Sequence, residues 1–572
     1  MFGLGRKPVR LENWDGRRRS SREEPAILPR TWSRPTTVRL ALVFVTTLGI
    51  TTLLHTSGPA LPHRIGQSAL NDLRARVSFE LPNELDTPER TEGEGVRNPS
   101  APPSACFPEG TLLIKQGQRI TPAKWELLLA EHRAYQESLS FWDHAARLLA
   151  LLLISALLTL LLALYVMRFQ PALAQQFMRL LSVCGVMLVT VALALLLSRT
   201  PGNPSLVPLI LLALVMAIAY NPPFALLVSF SVAIVMSVAA GIGLTPLLIQ
   251  AGGMATAILL LHGVRARTRP VEVAAASGCA VAAMTLAAGI LSEQSALLVG
   301  LDALRNFLWC LLAGCILTGT LPFIERCFGV VTDASLLELA DGSHPLLQEL
   351  VRRAPGTYTH CMTVATLAEA AAEAVGANAL LVRVGSYYHD IGKMTKPHYF
   401  IENQAGENRH DALEPALSTL VIMNHIKDGM ALARQYRLPR PLVDFIQQHH
   451  GTTLVEYFYR EAMRLQEEHG HGWTELEFAF RYPGPKPQSK EAGVLMLADA
   501  VESASRALLN PTPNSLRKLV HEMLMKRLLD GQFDESGLTL TELYAIEESL
   551  AKSLTAVYHA RIRYPIEAAK VG

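Results

Sequence analysis

The sequence has few charged residues: Asp, Glu, Lys and Arg make up 18% of its 572 residues, and the formal net charge is only +2. So small a charge gives no support to a nucleic-acid partner, because phosphate binding requires a surplus of Lys and Arg. Half of the residues are hydrophobic, and the mean hydropathy is +0.24. A soluble protein rarely combines these values, so apolar segments must face lipid. The composition excludes a wholly soluble enzyme.

Cysteine is also scarce, with seven residues in the chain and no Cys-x-x-Cys pair. Six of the seven lie within or just after apolar runs, and only Cys106 falls in a segment that we expect outside the cytoplasm. This distribution excludes a disulfide framework, and the missing Cys-x-x-Cys pair argues against a zinc ribbon or finger.

Long apolar runs divide the first part of the chain. Residues 1–39 are polar and basic, which predicts a disordered cytoplasmic tail. Residues 40–57 are predicted to form the first transmembrane helix; the alternative, a cleaved signal peptide, is disfavoured because the charged leader is too long. Residues 58–142 form a short extracytoplasmic segment, in which residues 110–135 predict a strand, a turn and an amphipathic helix. Residues 143–324 predict a seven-helix transmembrane domain.

The seven apolar runs of this domain are each close to the ~20 residues that a helix needs to cross a bilayer. They are residues 147–167, 177–198, 205–220, 222–242, 247–264, 271–292 and 303–324. With the first helix they make eight spans, so both termini share one side, and the excess of Lys and Arg assigns that side to the cytoplasm. Ionisable residues are absent from the middle of the spans, which favours sensing or anchoring over transport.

Residues 325–572 have the composition of a soluble domain with helical periodicity to the end. The predicted fold is therefore all-α, with a polytopic helical membrane domain followed by a cytoplasmic helical domain. We expect a multi-pass protein of the inner (cytoplasmic) membrane, with the lipid bilayer as one partner.

The C-terminal domain carries imidazoles and carboxylates within or at the ends of apolar helical stretches, where an unpaired polar group is costly. They are His360, His389, Asp390, His425, His449, His450 and Asp499. A single such histidine is more often a core residue, but seven such groups in one domain exceed the four ligands of a structural zinc site. Five imidazoles with two carboxylates suit Fe, Mn or Zn and fit a two-metal site in which one carboxylate bridges.

The His-Asp pair of "YYHDIGK", with the surrounding histidines, resembles the HD phosphohydrolase superfamily. Longer strings resemble one family in it, the seven-transmembrane HD proteins, which are PgpH-like cyclic di-AMP phosphodiesterases. Examples are "LPFIERCFGVVTDASLLELAD", "LVRVGSYYHDIGKMTKPHYFIENQ" and "YPGPKPQSKEAGVLMLADAVESASR". The extracytoplasmic segment, at roughly 85 residues, is shorter than is usual in that family, which argues against ligand sensing there.

The resemblance implies an HD-type domain that holds two divalent metal ions, Mn or Fe. One ion would be bound by His360, His389, Asp390 and Asp499, and the other by His425, His449 and His450, with Asp390 bridging. A hydroxide activated by both metals would hydrolyse cyclic di-AMP to linear pApA. Lys393, three residues after Asp390, is a candidate catalytic and phosphate-binding residue. Thr452 and Lys486 are weaker candidates for substrate contacts.

Three other functions stay open at this point. The same fold can act on cyclic di-GMP or a nucleoside phosphate, although "HHGTTLVEYFYRE" lacks the Gly-Tyr-Pro signature of cyclic di-GMP enzymes. The domain can be a receptor that binds a nucleotide without cleaving it, and a transporter is the weakest alternative. The sequence leaves a homodimer open and identifies no extracytoplasmic ligand.

Overall fold

The computed structural model describes residues 34–559 apart from several gaps. The gaps are residues 59–60, 62, 64, 70, 83–103, 201, 203, 262, 265, 405, 407, 470–475 and 509–510. Residues 1–33, most of the predicted disordered tail, and residues 560–572 also lie outside the described residues. The fold is all-α, as the sequence predicts, apart from two small strand pairs.

Ten helices form the first half of the described chain. They are α1 (Arg34–Ser57), α2 (Pro122–Ser138), α3 (Phe141–Phe169), α4 (Pro171–Gln175), α5 (Phe177–Ser198), α6 (Leu206–Ala219), α7 (Pro222–Ala240), α8 (Leu244–Leu260), α9 (Arg269–Leu291) and α10 (Ala296–Phe328). All but α2 and α4 coincide with the eight predicted spans. Asn221 caps α7 by accepting a hydrogen bond from the backbone N–H of Phe224, and Pro222 fits the first turn. The Asn-Pro pair therefore separates α6 from α7.

Six of the apolar helices in the described chain are long enough to cross a membrane. The other two, α6 and α8, have 14 and 17 residues. At 1.5 Å per residue, α6 spans about 21 Å, less than the ~30 Å of the hydrocarbon core. Most of its side chains are buried among the neighbouring helices, so α6 lies in the interior of the bundle.

The segment between α1 and α3 contains four short strands and α2. Strand β1 (Leu73–Arg74) pairs with β4 (Leu112–Ile114), and β2 (Phe79–Pro82) pairs with β3 (Ser104–Phe107), both antiparallel. The predicted strand, turn and helix correspond to β4, the turn after it and α2. Glu131 of α2 accepts hydrogen bonds from the backbone and the guanidinium of Arg76, which joins α2 to the strands.

Eleven α-helices form the C-terminal domain in the described residues. They are α11 (Asp333–Leu339), α12 (Pro345–Arg353), α13 (Pro355–Ala374), α14 (Ala379–Tyr388), α15 (Pro415–Gln435), α16 (Arg440–Gln448), α17 (Glu456–His469), α18 (Leu476–Ala479), α19 (Lys490–Ser505), α20 (Pro513–Leu529) and α21 (Leu540–His559). Short 3-10 turns connect α14 to α15. One hydrophobic core extends from α11 to α21, so the helices form a single domain.

The C-terminal domain is joined directly to the end of α10. Thr332 is the N-cap of α11, and its hydroxyl accepts a hydrogen bond from the backbone N–H of Ser335. The Glu325 carboxylate accepts hydrogen bonds from the backbone and hydroxyl of Thr332 and from the hydroxyl of Ser335. Arg267, between α8 and α9, donates two hydrogen bonds to Glu338 of α11. These contacts attach the first helix of the domain to the membrane helices.

Candidate metal centre

Five helices contribute the seven predicted ligand residues. His360 lies in α13, His425 in α15 and Asp499 in α19, whereas each of the two pairs follows the end of a helix, α14 or α16. Gly392, just after the His-Asp pair, is required by packing, because a Cβ there would lie 1.8 Å from the carbonyl oxygen of His425. The turn after α14 can approach α15 this closely only with glycine at that position.

The structure brings all seven residues together in two adjoining sets. His360, His389 and Asp499 form one set, and the ligand atoms of the set lie within 4.8 Å of one another. His360 Nε2 is 3.0 Å from Asp499 Oδ1, and His389 Nε2 is 3.8 Å from the same oxygen. All three side chains are buried. This cage of two imidazoles and a carboxylate suits a first-row divalent metal.

The second set consists of His425, His449, His450 and Asp390, with the same spread of ligand atoms. Asp390 also faces the first set. Its Oδ1 lies 3.4 Å from His425 Nε2 and 3.6 Å from His449 Nε2, whereas its Oδ2 lies 3.3 Å from His389 Nε2 and 3.6 Å from His360 Nε2. The carboxylate therefore presents one oxygen to each set, the arrangement needed of a bridging ligand.

Hydrogen bonds at the outer nitrogens fix the orientation of the imidazoles. His389 Nδ1 donates to the carbonyl of Ser386 at 2.8 Å, and His425 Nδ1 donates to that of Ile422 at 2.6 Å. His449 Nδ1 reaches the carbonyls of Phe445 and Ile446. Each Nε2 then presents a lone pair inward, as metal-bound histidines do.

Several inward atoms have no protein partner. His360 Nε2, His389 Nε2 and Asp390 Oδ1 are buried without a hydrogen bond, although such atoms are normally satisfied. The Nε2 atoms of His425 and His449 face each other at 3.3 Å. Because both rings carry their proton at Nδ1, the lone pairs of the two Nε2 atoms are directed into the same space between the rings. These residues fit bound cations.

The electrostatics of the cavity agree with this fit. Burial lowers the pKa of His425 to about 4 and, with the neighbouring His449, holds the pKa of His450 well below its usual range. Burial also opposes a proton on His360, but the carboxylates of Asp499 and Glu502 outweigh it and raise its pKa to about 9. Buried carboxylates thus attract positive charge to a cavity that also offers neutral imidazoles, the form that binds metal.

The predicted substrate residues occupy different surroundings. Lys393 Nζ lies 2.7 Å from Asp390 Oδ2 and 3.0 Å from Glu402 Oε1, and these carboxylates outweigh burial and raise its pKa well above the usual range. The hydroxyl of Thr452 accepts a hydrogen bond from Gln532, and Lys486 pairs with Asp534. Lys393 therefore belongs to the centre, whereas Thr452 and Lys486 contact the loop after α20. Their contacts with substrate stay predictions.

Three functional neighbours are missing from the sequence prediction. Glu502 accepts a hydrogen bond from His360 Nδ1 at 2.6 Å, Glu402 pairs with Lys393, and the ring of Tyr482 stacks on His450 with centroids 4.3 Å apart. Only Glu502 has a sequence signal, because it lies one helical turn after Asp499 in "LADAVES". Glu402 lies in a short 3-10 turn and Tyr482 in an irregular segment, and neither has a periodic sequence pattern.

Fold and site together define a helical protein whose described residues include six helices long enough to cross a membrane, followed by a helical domain with a His/Asp cluster that could hold metal ions. Two family models match the chain in the same order. The model described as a 7TM receptor with intracellular HD hydrolase matches residues 145–332, and the model of the HD domain matches residues 357–504. Over these residues the chain is similar to the seven-transmembrane HD hydrolases, which confirms the resemblance seen in the sequence.

Two curated relatives share the name cyclic-di-AMP phosphodiesterase PgpH. The protein of Bacillus subtilis strain 168 is 45% identical over 293 residues, which are 50% of this chain and 40% of the relative. That of Listeria monocytogenes serotype 1/2a strain 10403S is 44% identical over 248 residues, 43% of this chain and 34% of the relative. The chain thus aligns with less than half the length of either relative.

A solved structure is also similar to this chain. The crystal structure of the L. monocytogenes PgpH HD domain in complex with cyclic-di-AMP has 45% sequence identity and a TM-score of 0.36. The match covers 39% of this chain and 100% of that one.

Proposed function

We propose that the chain is a metal-dependent phosphodiesterase of the inner membrane that hydrolyses cyclic di-AMP to linear pApA. The observation that carries the proposal is the Asp390 carboxylate, whose two oxygens face two separate sets of ligands. Cyclic di-AMP is the substrate class because both PgpH relatives are named cyclic-di-AMP phosphodiesterases. The HD domain would face the cytoplasm.

The seven residues would hold two divalent ions, Mn or Fe. Bound there, such ions lower the pKa of a water molecule and neutralise charge on phosphate oxygens. Asp390 would ligate both ions and so hold the two sets at a fixed separation. Glu502 accepts a hydrogen bond from His360 Nδ1, which keeps the Nε2 lone pair of His360 directed inward. Lys393 holds Asp390 ionised and has a further N–H to donate to a phosphate oxygen.

The exposure of the ligand residues supports one side of the centre as the entry side for substrate. The His450 side chain is 21% exposed and that of Lys393 is 13% exposed, whereas His389 and His449 are completely buried. A phosphodiester thus reaches the centre past His450 and Lys393.

The first test is hydrolysis by the full chain in detergent with Mn²⁺, with cyclic di-AMP and cyclic di-GMP offered in parallel. We expect metal-dependent conversion of cyclic di-AMP to pApA. Asp390→Asn should reduce the rate by more than about a hundredfold, because even the loss of a residue behind a ligand costs 10–100-fold. Asp341→Asn, an exposed aspartate of the same domain, is the matched control and should retain activity.

Each other outcome has a definite meaning. Equal or faster cleavage of cyclic di-GMP would overturn the substrate assignment but leave the metal centre intact. Binding of cyclic di-AMP without cleavage, in protein that contains Mn²⁺, would support the receptor alternative instead.

A further inference from the structure

Residues 400–403, in the connection between α14 and α15, pack against the start of α13. The N-cap residue of α13 forms no side-chain cap of its own. Instead, the amide oxygen of Asn403 accepts hydrogen bonds from the backbone N–H groups of Gly356 and Thr357, at 2.9 and 3.2 Å. Such N–H groups have no partner within their own helix. The connection therefore caps α13, the helix that carries His360.

This contact between the connection and α13 is close. A Cβ at Gly356 would lie 1.8 Å from the carbonyl oxygen of Glu402, so the approach requires glycine. The hydroxyl of Thr357, a completely buried residue, donates to Glu402 Oε1 at 2.9 Å and accepts a hydrogen bond from Asn403 Nδ2 at 2.8 Å. The position of the Glu402 carboxylate is thus fixed by residues that are not metal ligands.

The same oxygen of Glu402 contacts Lys393. Lys393 Nζ lies 3.0 Å from Glu402 Oε1 and 2.7 Å from Asp390 Oδ2. It also lies 5.1 Å from the centroid of the Phe400 ring, which packs edge-on against His425. Two carboxylates therefore occupy two of the three N–H groups of the ammonium, and the third is available to a substrate.

The second carboxylate matters because a lysine ammonium lies at the end of a flexible side chain. With Asp390 as its one acceptor, the ammonium of Lys393 would rotate about that contact. Glu402 adds a second acceptor in a fixed place, so the third N–H has one direction. Small displacements of a group that contacts the reacting phosphate reduce the rate strongly.

We propose that Glu402 is a positioning residue, which directs the third N–H of Lys393 toward a non-bridging oxygen of the scissile phosphodiester. This inference rests on the proposed function, which provides the phosphate that Lys393 contacts. Glu402 itself touches neither the substrate nor a metal ion in this role. Its whole effect on hydrolysis therefore passes through Lys393.

The test is a double-mutant cycle on the full chain in detergent, with cyclic di-AMP and saturating Mn²⁺. Glu402→Gln keeps an acceptor for the Thr357 hydroxyl but loses the charge that pairs with Lys393. We expect kcat/KM to fall about tenfold, as for a lost charged hydrogen bond, with bound Mn²⁺ per chain unchanged. In the Lys393→Met background, the same substitution should change kcat/KM by less than about threefold. Single-turnover rates with enzyme in excess keep the slow variants measurable.

Two further variants separate positioning from folding. Asn403→Ala removes the cap of α13, so it should lower the melting temperature and also kcat/KM in both backgrounds. Glu402→Gln should melt near the wild-type temperature, because its amide oxygen still accepts from Thr357. Glu414→Gln, at an exposed position at the end of the same connection, is the matched control and should retain the wild-type rate.

The outcomes separate this inference from the proposed function. A loss of similar size in both backgrounds, a loss of bound Mn²⁺ or an unchanged rate for Glu402→Gln would overturn the role of Glu402, while wild-type hydrolysis of cyclic di-AMP stands. If the wild-type protein cleaves bis(p-nitrophenyl) phosphate but not cyclic di-AMP, the substrate assignment fails, and the cycle on that phosphodiester decides the role of Glu402. If it cleaves neither, the proposed function fails and the inference falls with it.

Discussion

At the scale of single residues, the Glu502 carboxylate connects His360 of the candidate metal centre to Arg506. One of its oxygens accepts a hydrogen bond from His360 Nδ1 at 2.6 Å, and the other accepts two hydrogen bonds from Arg506. His360 and Glu502 are 142 residues apart in the chain. A carboxylate behind a metal-binding histidine fixes the ring and increases the basicity of the ligand nitrogen.

Glu502→Gln should therefore weaken metal binding without removing a ligand. A neutral amide at this position lowers the basicity of His360, and we expect the apparent affinity for Mn²⁺ to fall about 10–100-fold. Phosphodiesterase activity measured across a Mn²⁺ titration checks this, and saturating Mn²⁺ should restore most of the rate. Glu373→Gln, at an exposed position on α13, is the control. An unchanged Mn²⁺ requirement would show that Glu502 has no influence on the ligand.

The residue types explain how much of the site the sequence predicts. Imidazole and carboxylate side chains in apolar helical segments stand out because burial without a partner is costly, so all seven clustered residues could be selected in advance. Glu402 could not, because an acidic residue in an irregular polar stretch is ordinary. Its position beside Lys393 depends on the path of the 3-10 turns.

At the scale of secondary-structure elements, local sequence signals determine where helices begin and end. The predicted runs 205–220 and 222–242 correspond closely to α6 and α7, because Asn221 and Pro222 are strong signals for a helix start. The pairing of β2 with β3 could not be predicted, since the two strands are separated by more than twenty residues and have no turn signature. Short-range signals predict where elements begin, and long-range pairing needs the folded structure.

His344 is the N-cap residue of α12, and its titration should affect stability. Its Nδ1 accepts a hydrogen bond from the backbone N–H of Leu346, and its ring packs edge-on against Tyr388. Burial lowers the pKa of His344 below the usual value of about 6.5. The folded protein thus disfavours the protonated ring, so stability is full above the unfolded-state pKa and decreases as the pH falls through it toward the lowered folded-state pKa.

His344→Asn keeps a capping acceptor but removes the titration. We expect the melting temperature of the variant, relative to wild type, to increase as the pH is lowered from 8 to 5.5 with Mn²⁺ held saturating. Scanning fluorimetry at several pH values measures this difference. A constant difference across the range would mean that His344 does not contribute to the acid sensitivity of the domain.

The connection between the two domains belongs to the scale of the whole molecule. Helix α10 is continuous over 33 residues. Near its start, Gln294 exchanges two hydrogen bonds with the backbone of Ser68 in the segment between α1 and α3. Near its end, Glu325 accepts hydrogen bonds from the backbone and the hydroxyl of Thr332, the N-cap of the first helix of the HD domain. One helix therefore contacts both parts, and our topology requires that they lie on opposite sides of the membrane.

Two native cysteines test this topology. Cys106 of β3 and Cys327 at the end of α10 are both exposed in the structure. Of this pair, the Cys327→Ser variant retains only Cys106, and the Cys106→Ser variant retains only Cys327. In intact spheroplasts of an expression host, a membrane-impermeant maleimide should label Cys106 of the Cys327→Ser variant strongly. It should label Cys327 of the Cys106→Ser variant only after the membrane is permeabilised. The double variant gives the background from the remaining cysteines. Labelling of Cys327 in intact spheroplasts would contradict the cytoplasmic assignment of the HD domain, because α10 leads from Cys327 into α11 within a few residues.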